Sequence, residues 1–182
     1  MRLILVRHGQ TDWNLIKRIQ SYTDVPLNDV GREQAHQVAI KLRDIKIDVI
    51  YSSPLSRAYE SAKIIAKYHD GIKIIKEPAF TELNMGKWEG MFTKEAQLRI
   101  PECRQWLEDP FSVTPPLGES TSELKKRVIS KLSQIIKSSH DKTICLVAHQ
   151  MTNTIIKCHY QNLPFRWNLL PQNADWEEII IR

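Results

Sequence analysis

Short aliphatic runs recur along the sequence, and stretches with helical spacing lie between them. A short apolar run rich in β-branched residues is typical of a buried strand. The strands predicted on this basis are Arg2 to Val6, Asp48 to Ser52, Gly71 to Ile75, Thr143 to Ala148 and Glu177 to Ile181. Because strands that alternate with helices pair mostly in parallel, the sequence predicts an α/β fold with three α/β/α layers and a mostly parallel central sheet.

Several helix starts are predicted from capping residues and from proline. A polar side chain just before a helix accepts a hydrogen bond from a free backbone N–H, and proline suits the first turn. Residues of this kind are Asn28, Pro54 and the pair Ser120 and Glu123, which forms an S-x-x-E capping box. A further helix is predicted from Met151 to His159.

The length of 182 residues, without an internal repeat or a long linker, predicts one domain over residues 1–182. Residues 84–117 are the least regular part, since they are rich in turn formers and contain one short helical stretch from Thr93 to Ile100. We expect this segment to leave the sheet and to cover the site.

Charge and cysteine content argue against several classes of protein. The apolar run from Leu3 to Val6 is too short for a signal peptide or a membrane span. Three cysteines without C-x-x-C spacing argue against a disulfide framework or a thiolate zinc site, and they favour a cytoplasmic protein. The net charge of +5 is scattered among acidic residues, so no nucleic-acid partner is expected. A homodimer is compatible with the sequence, which does not fix the oligomeric state.

Two of the predicted strands run directly into a histidine. His8 follows LILVR, His149 follows ICLVA, and Arg57 lies near the start of the helix after the second strand. Ligands of a mostly parallel sheet bind at the carboxyl ends of its strands. If the two strands are neighbours, Arg7, His8, Arg57 and His149 meet in one pocket. Its guanidinium groups match the oxygens of a phosphoryl group.

The positive charges around His8 disfavour a second proton on its imidazole, which leaves a lone pair to attack phosphorus. The other ring nitrogen needs an acceptor, and a main-chain carbonyl in the Gly9 turn can provide it. Taken singly, these residues have structural explanations, because a histidine at a strand end is usually structural and arginines often pair with surface carboxylates. Their combination favours a nucleophilic histidine.

In this combination the sequence resembles the histidine phosphatases, also called the phosphoglycerate mutase-like superfamily. The matching stretches follow the family order over nearly the whole chain, and they imply the phosphoglycerate mutase-like fold. They are LVRHGQTDWN (5–14), TDVPLNDVGREQA (23–35), SSPLSRAYESA (52–62), TELNMGKWEG (81–90) and VAH (147–149).

The resemblance also implies roles for individual residues. Arg7, Arg57 and His149 would hold the phosphoryl group, His8 would be phosphorylated, and Glu82 would protonate the leaving oxygen. Water would then attack the phosphohistidine while Glu82 accepts a proton. Because the arginines and His149 meet the charge that spreads over the phosphoryl oxygens, neither a metal nor another cofactor is expected.

The substrate-binding positions implied by the resemblance are Asn14, Ser21 and Gln150. Ser21 stands where the family commonly has glycine, and Gln150 replaces the glycine that usually follows the second histidine. The phosphate contact at that second position is a main-chain amide, which glutamine can still donate. For the acid, spacing alone leaves Glu89 in the W-E-G stretch as the strongest alternative to Glu82.

The predicted activity is hydrolysis of a small phosphorylated metabolite by a metal-independent phosphomonoesterase. The G-E-S stretch ending at Ser120 resembles small phosphatases, including those that act on ribazole phosphate, although a plain helix cap explains this serine equally well. The chain also lacks room for the arginine-rich insertion of phosphoglycerate mutases. A phosphoglycerate mutase, and a catalytically silent phosphate-binding module suggested by Gln150, are the alternatives.

Overall fold

A computed structural model describes residues 1–139 and 141–181, and these residues form one five-stranded sheet. The strands are β1 (Arg2–Arg7), β2 (Val49–Ser52), β3 (Ile74–Lys76), β4 (Thr143–Ala148) and β5 (Trp176–Ile180). Their order across the sheet is β3-β2-β4-β1-β5, and only the β1/β5 pair is antiparallel. The sheet is therefore mostly parallel, as predicted.

Helices connect the strands and continue the chain beyond them. In the described residues they are α1 (Asp12–Leu15), α2 (Asp29–Leu42), α3 (Ser56–Ala66), α4 (Thr93–Arg99), α5 (Pro101–Glu108), α6 (Thr121–Lys137) and α7 (Gln150–Tyr160). Single 3₁₀ turns lie at Pro78–Phe80, Gly86–Trp88 and Trp167–Leu169. Within these residues, no helix is long and apolar enough to cross a bilayer.

Both faces of the sheet are covered, because alternate side chains of its central strands enter two different cores. Leu3 and Leu5 of β1 pack in one core with the buried faces of α6 and α7. Ile4 and Val6 of the same strand pack in the other core with α2 and α3. Side chains of a strand alternate between faces, so this division gives the predicted three-layer α/β/α architecture.

The predicted helix caps are present. The Asn28 side chain accepts a hydrogen bond of 2.9 Å from the Gly31 N–H at the start of α2. Ser120 and Glu123 form a reciprocal capping box at the start of α6. Side-chain oxygens here satisfy N–H groups that have no partner within the helix.

Three local predictions differ from the structure. The third strand begins at Ile74 rather than Gly71, whose φ of +65° suits a turn. Pro54 precedes the N-cap of α3 instead of lying in its first turn. Residues 84–117 hold two helices rather than one, because Pro101, which was counted among the turn formers of this segment, starts α5.

Candidate active site

The carboxyl ends of β1 and β4 bring the two histidines together. The two strands are parallel neighbours, with Arg7 paired to Ala148, and the His8 N–H donates to the Ala148 carbonyl at 3.1 Å. The ring centroids of His8 and His149 are 5.2 Å apart. The first turn of α3 adds Arg57, which is 1% exposed. The four residues expected to meet do so.

A cavity of about 350 Å³ lies at this edge of the sheet. Its walls contain all but one of the predicted site residues: Arg7, His8, Asn14, Ser21, Arg57, Glu82 and Gln150. The exception is His149, which is fully buried and packs against the ring of His8 at an interplanar angle of 63°. In the described part of the chain, no three His, Cys, Asp or Glu side chains are grouped so as to hold a metal ion.

The His8 side chain is held as a neutral imidazole, and among the described residues only one of its two ring nitrogens has a hydrogen-bond partner. Its Nδ1 lies 2.7 Å from the Gly9 carbonyl oxygen, which can only accept, so Nδ1 carries the proton. Burial, followed by the charges of Arg57 and Arg7, holds the pKa of His8 well below 6.5. Nε2 therefore keeps its lone pair at neutral pH.

The His149 ring is oriented by Ser53, the residue directly after β2. Its Nε2 lies 2.7 Å from the Ser53 Oγ, and in residues 1–139 and 141–181 its buried Nδ1 has no hydrogen-bond partner. Burial and the charge of Arg57 are the main reasons that the pKa of His149 also lies well below 6.5. The sequence motif contains Ser53 but gave no indication of this contact.

Arg7 and Arg57 are buried cations bound to carbonyl oxygens rather than to carboxylates. Arg57 donates to the Ser21 and Thr23 carbonyls at 2.7 and 3.0 Å, and Arg7 donates to the Pro171 carbonyl at 2.7 Å. Neither guanidinium lies within 4.0 Å of a carboxylate oxygen in the described residues.

Burial lowers the pKa of each of these arginines to about 10, against the opposing charge of Glu82, so both remain charged at neutral pH. The Nε of each is also buried without a partner among the described residues. A buried cation without a counter-charge is unfavourable, and an anion in the cavity would supply one. The electrostatics of the site therefore favour an anionic ligand.

Asn14 is positioned by a network that the sequence did not reveal. Its Oδ1 accepts from the Thr11 N–H and from Asn173 Nδ2, both at 3.1 Å, which leaves its own NH₂ group to donate to a ligand. Asn173 also donates to the His8 carbonyl at 3.3 Å. It comes from the loop before β5, where nothing in the local sequence distinguishes it.

The two candidate acids have different surroundings. Glu82 lines the cavity and accepts hydrogen bonds from the Met151 and Thr152 N–H groups at 3.1 and 3.2 Å, at the start of α7. Glu89 is not part of the cavity wall. It accepts from the Ser21 and Thr23 hydroxyls at 2.6 and 2.9 Å. The structure thus places Glu82 beside the cavity, whereas Glu89 braces the loop whose carbonyls bind Arg57.

Ser21 and Gln150 line the cavity in different ways. Ser21 has a φ of +52°, a backbone conformation that favours glycine, and its hydroxyl contacts the Leu83 carbonyl and the Met85 N–H, both at 2.7 Å. This hydroxyl is therefore occupied by the protein. Gln150 is the first residue of α7, where its N–H has no acceptor within the helix.

Arg127 of α6 holds the segment that carries Glu82. Its guanidinium donates to the carbonyls of Ala79, Thr81 and Glu82 at 2.8, 3.0 and 2.9 Å, and it pairs with Glu119 at 2.6 Å. Sequence reasoning missed this residue, because it resembles the other cations along α6. Only its hydrogen-bond and ion-pair partners in the folded chain distinguish it from them.

A mostly parallel α/β sheet defines the architecture, and a buried, neutral histidine shares its cavity with two buried arginines that have no carboxylate partner in the described residues. These features are typical of a phosphoryl-binding α/β protein. A model of the histidine phosphatase superfamily, branch 1, matches residues 3–181, and the chain belongs to this family.

Named relatives and solved structures agree with this membership. Phosphoserine phosphatase 1 of Hydrogenobacter thermophilus is 36% identical over 182 residues, covering 98% of this chain and 86% of the relative. A probable phosphoglycerate mutase GpmB of Yersinia enterocolitica is 37% identical over 155 residues, covering 83% and 70%.

Among solved structures, a mycobacterial glucosyl-3-phosphoglycerate phosphatase in complex with VO₃ has a TM-score of 0.87 and 28% identity, covering 97% and 90% of the two chains. An α-ribazole phosphatase from Shigella flexneri has a TM-score of 0.90 and 24% identity, covering 100% and 91%, and it shares the fold. The predicted family and fold are therefore confirmed. The relatives named as phosphatases are also consistent with the predicted activity of this chain, that of a phosphoric monoester hydrolase.

Proposed function

We propose that the protein hydrolyses small phosphomonoesters through a phosphohistidine formed on His8. The observation that carries the proposal is the state of this side chain, a neutral imidazole whose Nδ1 donates to the Gly9 carbonyl. Among the described residues, its Nε2 has no hydrogen-bond partner, and the two buried arginines of the same cavity have no carboxylate partner. A nucleophile and an anion site thus occupy one cavity. Relatives named as phosphoserine and glucosyl-3-phosphoglycerate phosphatases support the same reaction class.

In the first half-reaction, His8 Nε2 attacks phosphorus and the bond from phosphorus to the ester oxygen breaks. Glu82 gives its proton to that oxygen, so the product leaves as a neutral alcohol. Arg7 and Arg57 hold the phosphoryl oxygens and meet the charge that develops on them. The Asn14 NH₂ and the Gln150 N–H are further donors at the cavity.

In the second half-reaction, water attacks the phosphohistidine and Glu82 takes a proton from it. The bond from phosphorus to Nε2 breaks, inorganic phosphate forms, and His8 returns to its neutral state. Throughout the cycle, the Gly9 carbonyl keeps the Nδ1 proton in place and so directs Nε2 toward phosphorus.

The test of the nucleophile uses His8→Ala with p-nitrophenyl phosphate as substrate. We expect the variant to lose turnover together with any acid-labile phosphoenzyme trapped by rapid quenching. Undiminished hydrolysis by the variant would exclude His8 as the nucleophile. A wild-type protein that binds phosphate but hydrolyses no ester would instead support a silent binding module.

Glu82→Gln and Glu89→Gln form a matched pair for the acid. Removing the proton donor should slow an alkyl phosphate by about 10²–10⁴-fold and p-nitrophenyl phosphate much less, because phenolate leaves without a proton. Glu89→Gln loosens the loop that holds Arg57, so it should slow both substrates to a similar extent. If Glu89→Gln showed the selective loss instead, the two roles would be reversed.

The named mutase among the relatives makes isomerisation the second candidate. Supplied with 3-phosphoglycerate, a hydrolase releases inorganic phosphate and glycerate. A mutase returns the phosphoryl group to the neighbouring hydroxyl and releases little phosphate. The ratio of free phosphate to 2-phosphoglycerate over time decides between them, and we expect phosphate to dominate.

A further inference from the structure

The cavity contains more positive charge than one phosphoryl group requires. Its charged lining residues are the cations Arg7, Lys17, Arg18 and Arg57 and a single carboxylate, Glu82. The proposed phosphoryl site uses Arg7 and Arg57. Lys17 and Arg18 remain in the same cavity without an assigned partner.

The protein itself binds the Nε of Arg18 but not its terminal nitrogens, as far as the described residues show. Its Nε donates to the Gly90 carbonyl, and its central carbon lies 4.6 Å from the ring centroid of Trp13 and 5.5 Å from that of Phe92. In residues 1–139 and 141–181, its terminal nitrogens make no hydrogen bond, and no carboxylate oxygen lies within 4.0 Å of it or of Lys17. A guanidinium that contacts aromatic rings in this way keeps its terminal nitrogens available to an anion.

The backbone that carries these two cations is fixed against a neighbouring segment. Hydrogen bonds of 2.9 Å connect the Thr93 N–H to the Lys17 carbonyl, the Ile19 N–H to the Met91 carbonyl and the Gly90 N–H to the Ile19 carbonyl. Lys17 has a φ of +57°. Because the chain is tied on both sides of Arg18, little ordering is needed when a ligand binds.

We propose that Lys17 and Arg18 form a second anion subsite, and that the preferred substrates are phosphomonoesters carrying a second anionic group, a carboxylate or a further phosphate. The proposal rests on the proposed phosphatase function and extends it to substrate choice. One end of the substrate lies between Arg7 and Arg57, and its other anionic group reaches Arg18. A neutral alcohol moiety leaves this second pair of cations without a counter-charge.

The test compares esters that differ in the second group alone. O-phosphoserine is paired with O-phosphoethanolamine, and 3-phosphoglycerate with glycerol 3-phosphate, to test the carboxylate. Propane-1,3-diol bisphosphate is paired with its monophosphate to test a second phosphate. We expect the member with the second anion to have a kcat/KM at least about 10-fold higher in one of the two arms, since hydrogen bonds to charged groups contribute strongly. The arm that shows the preference identifies the anion.

The variants Arg18→Met and Lys17→Met should bring that ratio toward one, with Arg18→Met showing the larger effect. Methionine keeps an unbranched side chain beside the two aromatic rings and removes the charge. Lys94→Met is the matched control, because Lys94 is an exposed cation on α4 outside the cavity and its loss changes the net charge equally. This control should keep the wild-type ratio.

Equal kcat/KM values within every pair, or the same loss of ratio in Lys94→Met as in Arg18→Met, would overturn the subsite. Failure of the phosphatase function has a different result, which is no hydrolysis of any ester, including p-nitrophenyl phosphate. In that case, calorimetric affinities of 3-phosphoglycerate and glycerol 3-phosphate for the wild type and Arg18→Met test the subsite directly. Equal affinities would reject it.

Discussion

The two buried histidines make the stability of the protein depend on pH just below neutrality. His8 and His149 stay neutral in the folded chain because their pKa values lie well below 6.5, whereas in the unfolded chain they take up protons near pH 6.5. The unfolded state therefore binds more protons in this range, so the free energy of unfolding rises with pH and falls as the solution is acidified.

The size of this effect follows from the protonation of each imidazole. A histidine that stays neutral in the folded chain between about pH 7.5 and 5.5 lowers the free energy of unfolding over that range by on the order of 1 kcal/mol. The pair together lowers it by roughly 2–3 kcal/mol. Urea titrations at several pH values measure it. Staying above about pH 5 limits the contribution of Glu123 and Glu178, whose lowered pKa values weaken stability at more acidic pH.

The variant His8→Gln separates the contribution of His8 to the pH dependence of stability from the contributions of other titrating groups. Glutamine can still donate to the Gly9 carbonyl but does not titrate, so the fall between the same two pH values should shrink by the contribution of one imidazole, on the order of 1 kcal/mol. His69 has a pKa lowered by burial as well, but it contributes equally to the wild type and the variant. An identical pH dependence in both proteins would refute the assignment of a neutral, buried His8.

Two further substitutions test how the site is supported. Arg127→Met removes the donors to the carbonyls that position Glu82, so it should lower kcat for alkyl phosphates by about 10-fold or more. The effect on p-nitrophenyl phosphate should be smaller. An equal effect on both substrates would contradict a positioning role. Gly9→Ala should destabilise the fold by about 1–3 kcal/mol or more, since the new Cβ would lie 2.1 Å from the Gly31 carbonyl oxygen in the first turn of α2. An unchanged urea midpoint would show that the Gly9 turn and α2 separate easily.

Features that depend on neighbouring residues were predictable from the sequence. Asn28 and Ser120 cap the helices that they were expected to cap, because a capping side chain acts within one turn. His8 and His149 were found because each ends a run of buried residues. Their meeting followed from the geometry of parallel strands, and the pairing of β1 with β4 confirms it.

Features that depend on distant parts of the chain were not predictable. The carbonyl partners of Arg127 come from an earlier segment of the chain, and the contact of Arg7 with Pro171 joins the two ends of the sequence. The sequence of β5 also does not indicate that this strand runs antiparallel to its neighbour. Because this strand starts at the carboxyl edge of the parallel strands, the loop before it delivers Asn173 to the cavity.

The short helices were missed for a different reason. The α1 helix is a single turn whose capping box uses Thr11 and Asn14, a pair less common there than Ser or Thr with Glu or Gln. At α5, Pro101 was counted as a turn former, although its fixed φ and missing N–H suit the first position of a helix. Short-range residue types alone do not distinguish these two uses of proline.

The position of β1 in the sheet also has a consequence for how the chain folds. This first strand lies between the last two, β4 and β5, so neither of its edges is paired until almost the whole chain has been made. Such long-range pairing slows folding and leaves an apolar strand, LILV, open to association with other chains. Since the same strand carries Arg7 and leads into His8, phosphate binding should return during refolding only when the sheet closes.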